Sequence, residues 1–141
     1  MTKKIIFSGL FFFIMSSMVC YAGGKYGDAV KVNNEFFAIM EKFVSALDKA
    51  DSGGSVAKAM NGFAEGINKI TPKMKKVMEA HPELKDHKTM PEELKALQKK
   101  GEAIQKKFSH SFMKAMQYAQ DAEVKKAQER IGNAMRAMQL K

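Results

Sequence analysis

Cysteine, proline and tryptophan are scarce in this chain of 141 residues, which contains one cysteine, three prolines and no tryptophan. The cysteine, Cys20, lies in the N-terminal segment, so the rest of the chain has no thiol for a disulfide, an iron–sulfur cluster or a thiolate zinc site. Covalent attachment of a c-type haem is excluded for the same reason. Beyond residue 20, the fold must therefore depend on its apolar core alone.

The N-terminal segment has the features of an export signal. Two lysines precede residues 5–19, which carry no charge and are fewer than the ~20 apolar residues that a membrane-spanning helix needs. Small residues follow, with Cys20 at position −3 and Ala22 at position −1 of a signal-peptidase site. We therefore expect residues 1–22 to be a signal peptide that is cleaved before Gly23, giving a periplasmic or secreted protein with no transmembrane span.

Acylation of Cys20 is the alternative outcome of export. It would anchor the protein as a lipoprotein, but Val19 stands where the lipoprotein peptidase prefers a small residue. After the cleavage site, residues 23–32 are small and polar, and this composition predicts a flexible lead-in.

From residue 33 onwards, apolar residues recur every three or four positions, a spacing typical of amphipathic helices. The predicted inward positions are Phe36, Phe37, Met40, Phe43, Val44 and Leu47 in the first helix, Val56, Met60, Phe63, Ile67, Ile70, Met74 and Val77 in the second, and Val124, Ala127, Ile131, Ala134, Met135 and Met138 in the fourth. The pattern predicts helices over about 33–51, 55–80, 90–119 and 122–139. No segment alternates with period two, so strands are not expected. The short links between helices 1 and 2 and between helices 3 and 4 favour antiparallel neighbours. The predicted fold is all-α, an up-down-up-down antiparallel four-helix bundle after the signal peptide.

Local signals suggest where these helices begin and end. Residues 52–54, Ser-Gly-Gly, are predicted to stop the first helix, and Ser55 is a candidate cap for the second. Pro72 removes one backbone donor, which predicts a kink or a break within the second helix. Residues 89–92 resemble a capping box for the third helix, and Asp121 is a candidate cap for the fourth.

The chain is basic, with a formal net charge of +9. Its cations are spread along every predicted helix, and export argues against nucleic acid as the partner. The interpretation we favour is an ordinary solvated basic surface. The alternative is a weak association with an anionic membrane surface or with an acidic protein partner in the periplasm.

Three stretches resemble the cytochrome b562 family of periplasmic four-helix bundles. Residues 47–51 (LDKAD), leading to 56–59 (VAKA), are similar to the first hairpin of that family. Residues 124–128 (VKKAQ) are similar to the start of its last helix, and Pro91-Glu92-Glu93 lies at a similar place before helix 3. The resemblance implies a bundle that transfers electrons through a non-covalent haem.

The family's haem ligands are a methionine in helix 1 and a histidine near the end of helix 4. In this sequence the methionine position falls near Phe37, one turn before Met40, and the histidine position falls beyond Lys141. A haem would therefore need altered ligands, namely Met40 with Met135 or Met138.

Methionine is unusually frequent, with twelve in the chain. Met113 and Met116 are three residues apart, and His110 precedes Met113 by three, so the predicted helix places them on one face. Thioethers suit Cu(I), which makes this trio a candidate copper site. The competing interpretation, which we favour, is that the methionines fill the core of the bundle.

The sequence contains no pattern typical of an enzyme. It has no Ser, His and acid arrangement of family-like spacing, no Gly-rich phosphate loop and no Glu-x-x-His pair for a di-iron site. We expect a non-enzymatic binding or interaction protein without a cofactor. The alternatives are a haem-binding electron carrier with altered ligands and a Met/His copper-binding protein.

Overall fold

The computed structural model describes residues 25–85 and 95–139, and these form four α-helices without a strand. The helices are α1 (Gly27–Asp48), α2 (Gly53–Ala80), α3 (Lys95–Ala115) and α4 (Ala122–Met138). Short 3-10 turns follow α2 at Pro82–Lys85 and α3 at Met116–Tyr118. This confirms the predicted all-α four-helix bundle. The predicted signal peptide and the capping box at residues 89–92 lie outside the described residues.

Helix α1 begins earlier than its sequence pattern indicates. It starts at Gly27, so the prediction of a flexible lead-in over 23–32 is wrong from residue 27 onwards. Asp28 accepts a hydrogen bond from the Ala29 backbone N–H at 2.8 Å and places negative charge in the first turn. Val30 and Val32 are buried, so this small and polar segment also contributes to the core.

Helix α2 begins with a capping box formed by two serines. Ser52 is the N-cap and accepts from the Ser55 backbone N–H, while the Ser55 hydroxyl accepts from the Ser52 N–H at 3.1 Å. The prediction that Ser55 caps α2 is therefore wrong by one turn. Gly53 and Gly54 belong to the first turn of α2, and α1 ends earlier, at Asp48. Residues 52–54 therefore start α2 and do not stop α1 as predicted.

Pro72 does not break α2, which continues to Ala80. The proline is exposed, and Ile70 and Met74 on either side of it are buried in the core. Thr71 donates its hydroxyl to the Ile67 carbonyl at 2.7 Å within the same segment. Packing on both sides of the proline therefore outweighs the one backbone hydrogen bond that it removes.

The predicted inward faces of α1, α2 and α4 are buried as expected. On α4 these residues are Val124, Ala127, Ile131, Ala134, Met135 and Met138. Asp121 is the N-cap of α4, and its carboxylate accepts from the backbone N–H groups of Glu123 at 2.8 Å and Val124 at 3.4 Å. The predicted cap is confirmed.

Helices α1 and α2 form the antiparallel pair to which the other two helices attach. Phe43 of α1 stacks on Phe63 of α2, with ring centroids 4.4 Å apart. Helix α3 lies along α1 in the same direction, because Phe108 contacts Phe43 at 5.5 Å and the Ser111 hydroxyl donates to Asp48 at 2.6 Å. The spatial order on this side is therefore α3, α1, α2.

Helix α4 lies along α2, again in the same direction. Asp121 adjoins Gly53, and about two turns further on Arg130 donates to the Asn61 side-chain oxygen at 3.1 Å. The chain direction alternates as predicted, but within the described residues α4 packs on α2 and not closely on α3. The small inward residues Ala127 and Ala134 allow this close approach.

Two glycines of α2 differ in what surrounds them, and this difference predicts opposite effects of alanine. A Cβ atom at Gly62 would meet nothing within 4 Å, whereas one at Gly66 would lie 2.7 Å from Cγ2 of Ile39. Gly62→Ala should raise the free energy of unfolding by about 0.5–1 kcal/mol through helix propensity. Gly66→Ala should lower it by roughly 1 kcal/mol, since the stiff β-branched Ile39 must move. Urea unfolding followed by circular dichroism measures both; equal gains would contradict the close α1–α2 contact.

The start of α1 and the end of α2 are joined by polar contacts. The Lys25 ammonium lies 2.7 Å from the Glu83 carboxylate, to which the Tyr26 hydroxyl also donates at 3.1 Å. His81 lies 2.9 Å from Asp28 and packs edge-on against the Tyr26 ring. The hydrogen bond from Lys25 is the main cause that lowers the pKa of Glu83 to about 2.

This lowered pKa predicts the pH dependence of stability. Glu83 should stabilise the fold above its ordinary pKa of 4.5, and this contribution should be lost as pH falls towards about 2. Glu83→Gln should therefore lower Tm near neutral pH, with the gap to the wild type closing over that acid range. The matched control is Glu79→Gln, at an exposed carboxylate for which no salt bridge occurs among the described residues. Thermal denaturation at a series of pH values tests this; a gap independent of pH would contradict it.

Candidate functional site

The methionines considered as haem ligands belong to the packed core. Met40 is 0% exposed, and Met135 and Met138 are also buried among apolar side chains. Since Met40 has no accessible surface, not even a water-sized void adjoins its side chain. These three positions, as folded, do not suit a haem, which needs an open slot beside its ligand. Their side chains act as core residues.

The residues considered for Cu(I) lie instead at the surface. Met113 of α3 is 75% exposed, and Met116, at the start of the 3-10 turn that follows α3, is 42% exposed. His110 of α3 is also exposed. Gln128 of α4 points its side-chain amide at the Met116 sulfur, with 3.8 Å between nitrogen and sulfur. The general interpretation that the methionines fill the core is therefore wrong for Met113 and Met116.

Reactive groups are not concentrated in the described part of the chain. It contains no group of three or more His, Cys, Asp or Glu side chains that could hold a metal ion. The buried polar side chains in it are Asn33, Thr71 and Ser111, none of which is ionisable. None of its helices combines the length and the apolar character needed to cross a bilayer.

A groove of about 1050 Å³ runs along the outer face of α2, between α1 on one side and α4 on the other. We call it the basic groove. Helix α2 forms its floor from Gly54 to Lys69, which corresponds to roughly 22 Å of helix at about 1.5 Å per residue. Its lining residues come from three helices, since α2 packs against both α1 and α4.

The α2 floor of the basic groove combines small residues with the exposed side chains of Lys58, Glu65 and Lys69. Gly54 and Gly62 are exposed, and Ala46, Ala50 and Ala59 are half-buried beside them. The larger apolar residues of the lining are Ile39, Phe43 and Phe63, and both phenylalanines are buried. The groove is therefore most open above the small residues of its lining.

The lining of the basic groove is strongly cationic, both on the α2 floor and on the rims that α1 and α4 form. Six cations and two carboxylates, Glu65 and Glu123, line the groove, and all eight side chains are exposed. The cations are Lys42, Lys49, Lys58, Lys69, Lys126 and Arg130. Charges of one sign along a concave surface add their potentials and attract anions.

None of these six cations forms a salt bridge with another residue of the described chain. Arg130 donates to the neutral side chain of Asn61, which fixes its position without neutralising its charge. The salt bridges that occur among the described residues, such as Lys73 with Glu35, lie outside the groove. The positive charge of the lining is therefore available to a ligand.

Sequence reasoning did not find the basic groove. Its cations belong to segments that are separated by up to two helices in the chain, and each one taken alone resembles an ordinary solvated side chain. The signal that could have indicated it is Gly62 within the predicted helix 55–80, since an exposed glycine there costs ~1 kcal/mol relative to alanine.

No protein-family model, curated protein or solved structure matches this chain.

Proposed function

We propose that this chain is an exported, non-enzymatic binding protein that holds an anionic ligand in the basic groove. The observation that carries the proposal is the combination of concave shape and uncompensated charge, six cations against two carboxylates around one groove. Charge complementarity of this kind chiefly raises association rate and selects the partner.

The interior of the protein supports a role in binding, not catalysis. A catalytic acid or base usually owes its altered pKa to burial or to a close charge. Among the described residues no ionisable side chain is buried, and the one large pKa shift belongs to Glu83 in an exposed ion pair at the far end of α2. The groove itself offers charge and shape.

Charge reversal at the rim tests this proposal. Lys42→Glu combined with Lys126→Glu places a carboxylate on each side of the groove and should weaken binding of an anionic ligand by roughly tenfold or more. The probes are an acidic peptide, phosphatidylglycerol vesicles and a single-stranded oligonucleotide, measured separately by isothermal titration calorimetry. At least one should bind the wild type, with an affinity that falls as salt rises.

The control for charge reversal is Lys75→Glu combined with Lys107→Glu. Both lysines are exposed and lie outside the groove, so the net charge changes equally. This variant should bind nearly as well as the wild type. The proposal fails if both double variants lose the same affinity, which indicates non-specific attraction, or if no probe binds the wild type.

Export has its own test, independent of the groove. The intact mass of protein expressed from the full sequence should correspond to a chain that begins at Gly23, and the protein should be recovered in the periplasmic extract. A lipid-modified mass together with recovery in the membrane fraction, both lost in Cys20→Ser, would overturn this assignment in favour of the lipoprotein.

A further inference from the structure

The shape of the basic groove restricts what kind of anion it can hold. The groove is an open trough, so it covers one side of an elongated ligand and leaves the other side in water. A fatty acyl chain is apolar all round and binds best where most of its surface is enclosed. An amphipathic helix has one apolar side and one polar side, and an open trough satisfies both.

The dimensions of the groove also match a helix. Its floor follows about four turns of a single helix, α2, from Gly54 to Lys69. Exposed Gly54 and Gly62 and half-buried Ala59 leave the α2 backbone accessible at three places along the floor. A second helix with a narrow face of alanine or leucine can approach α2 at these places, while the flexible lysines of the floor remain within reach of its carboxylates.

Four of the six cations lie where the flanks of such a helix would carry its charges. Lys42 of α1 and Lys49, which directly follows α1, are seven residues apart, hence about two turns apart along one rim. Lys126 and Arg130 are one turn apart on α4 and form the opposite rim. Carboxylates on both sides of a narrow apolar face would meet a cation on each side.

The aromatic residues of the groove argue against single-stranded nucleic acid, the other elongated polyanion. Binding of single strands uses exposed rings on which bases stack. Phe43 and Phe63 are buried and stack on each other with 4.4 Å between centroids. Neither ring is therefore available to a base.

We propose that the basic groove docks an acidic amphipathic helix of a partner protein, which lies along α2 between α1 and α4. This inference rests on the proposed function, since it names the class of ligand for the same groove. The partner helix is recognised by carboxylates along both edges of an alanine- or leucine-lined face.

A fluorescent synthetic helix tests the inference. The peptide is about 16 residues long, to span the groove at about 1.5 Å per residue, with alanine and leucine on one narrow face and glutamate on both flanks. Fluorescence anisotropy with protein expressed from the full sequence should show binding. A scrambled peptide of the same composition, which has no continuous face, should bind at least about tenfold more weakly, because it retains the charge but loses the shape.

Filling the groove supplies the matched pair of variants. Gly62→Leu places a side chain in open space at the centre of the floor and should weaken peptide binding at least about tenfold while circular dichroism stays unchanged. The control is Gly132→Leu, on α4 and outside the groove, where an added Cβ also meets nothing within 4 Å. Its affinity should equal that of the wild type.

A charge-swapped pair gives a second test that does not depend on Gly62. The variant Lys42→Glu with Lys126→Glu leaves four cations and four carboxylates in the groove, so it should bind the glutamate peptide more weakly and lose the wild type's preference over a peptide in which lysine replaces every glutamate. Equal binding of the scrambled peptide, or no effect of Gly62→Leu, would overturn the proposal that the ligand is an amphipathic helix. If phosphatidylglycerol vesicles or an oligonucleotide bind in a Gly62-dependent way and the peptide does not, the helix is wrong and the anion-binding groove stands. If no probe depends on Gly62 or on the rim charges, both proposals fail.

Discussion

The contact between α1 and α2 is the interaction on which the rest of the structure depends. Phe43 stacks on Phe63 at its centre, and the missing side chain at Gly66 lets Ile39 reach the α2 backbone. The polar contacts of Tyr26 and His81 with the opposite helix fix one end of this pair. Helices α3 and α4 then attach to different members of the pair, α3 to α1 and α4 to α2. This arrangement places α2 between α1 and α4 and creates the groove along its outer face.

The periodicity of the sequence was sufficient to predict the helices and their inward faces. It identified every core position of α4, and its cap at Asp121, because these features depend only on neighbours within one or two turns. It failed at Gly27, where small and polar residues form the first turn of α1. It also failed at Gly53 and Gly54, where a capping box starts a helix although glycine usually follows the C-terminal end of one. Local signals compete at such positions, and tertiary packing decides between them.

What the sequence could not reveal is which helices become neighbours. An amphipathic pattern indicates which residues point inward, but not which face they meet. The packing of α4 on α2 brings Lys126 and Arg130 to the same groove as Lys42 and Lys49, although these pairs are far apart in the chain. The interpretation of the cations as evenly spread is valid along each helix and incomplete for the surface that the helices form together. The methionines divide in a similar way, with Met40 in the core and Met113 at the surface.

The central claim is therefore that α4 lies beside α2 in the same direction, which gives the groove its second rim. Nuclear Overhauser contacts in isotope-labelled protein test this most directly. The account predicts contacts between Gly53 and Asp121 at the starts of the two helices, and between Asn61 and Arg130 about two turns further on. Contacts that connect the inward face of α4 to α3, with none between these two pairs, would contradict it.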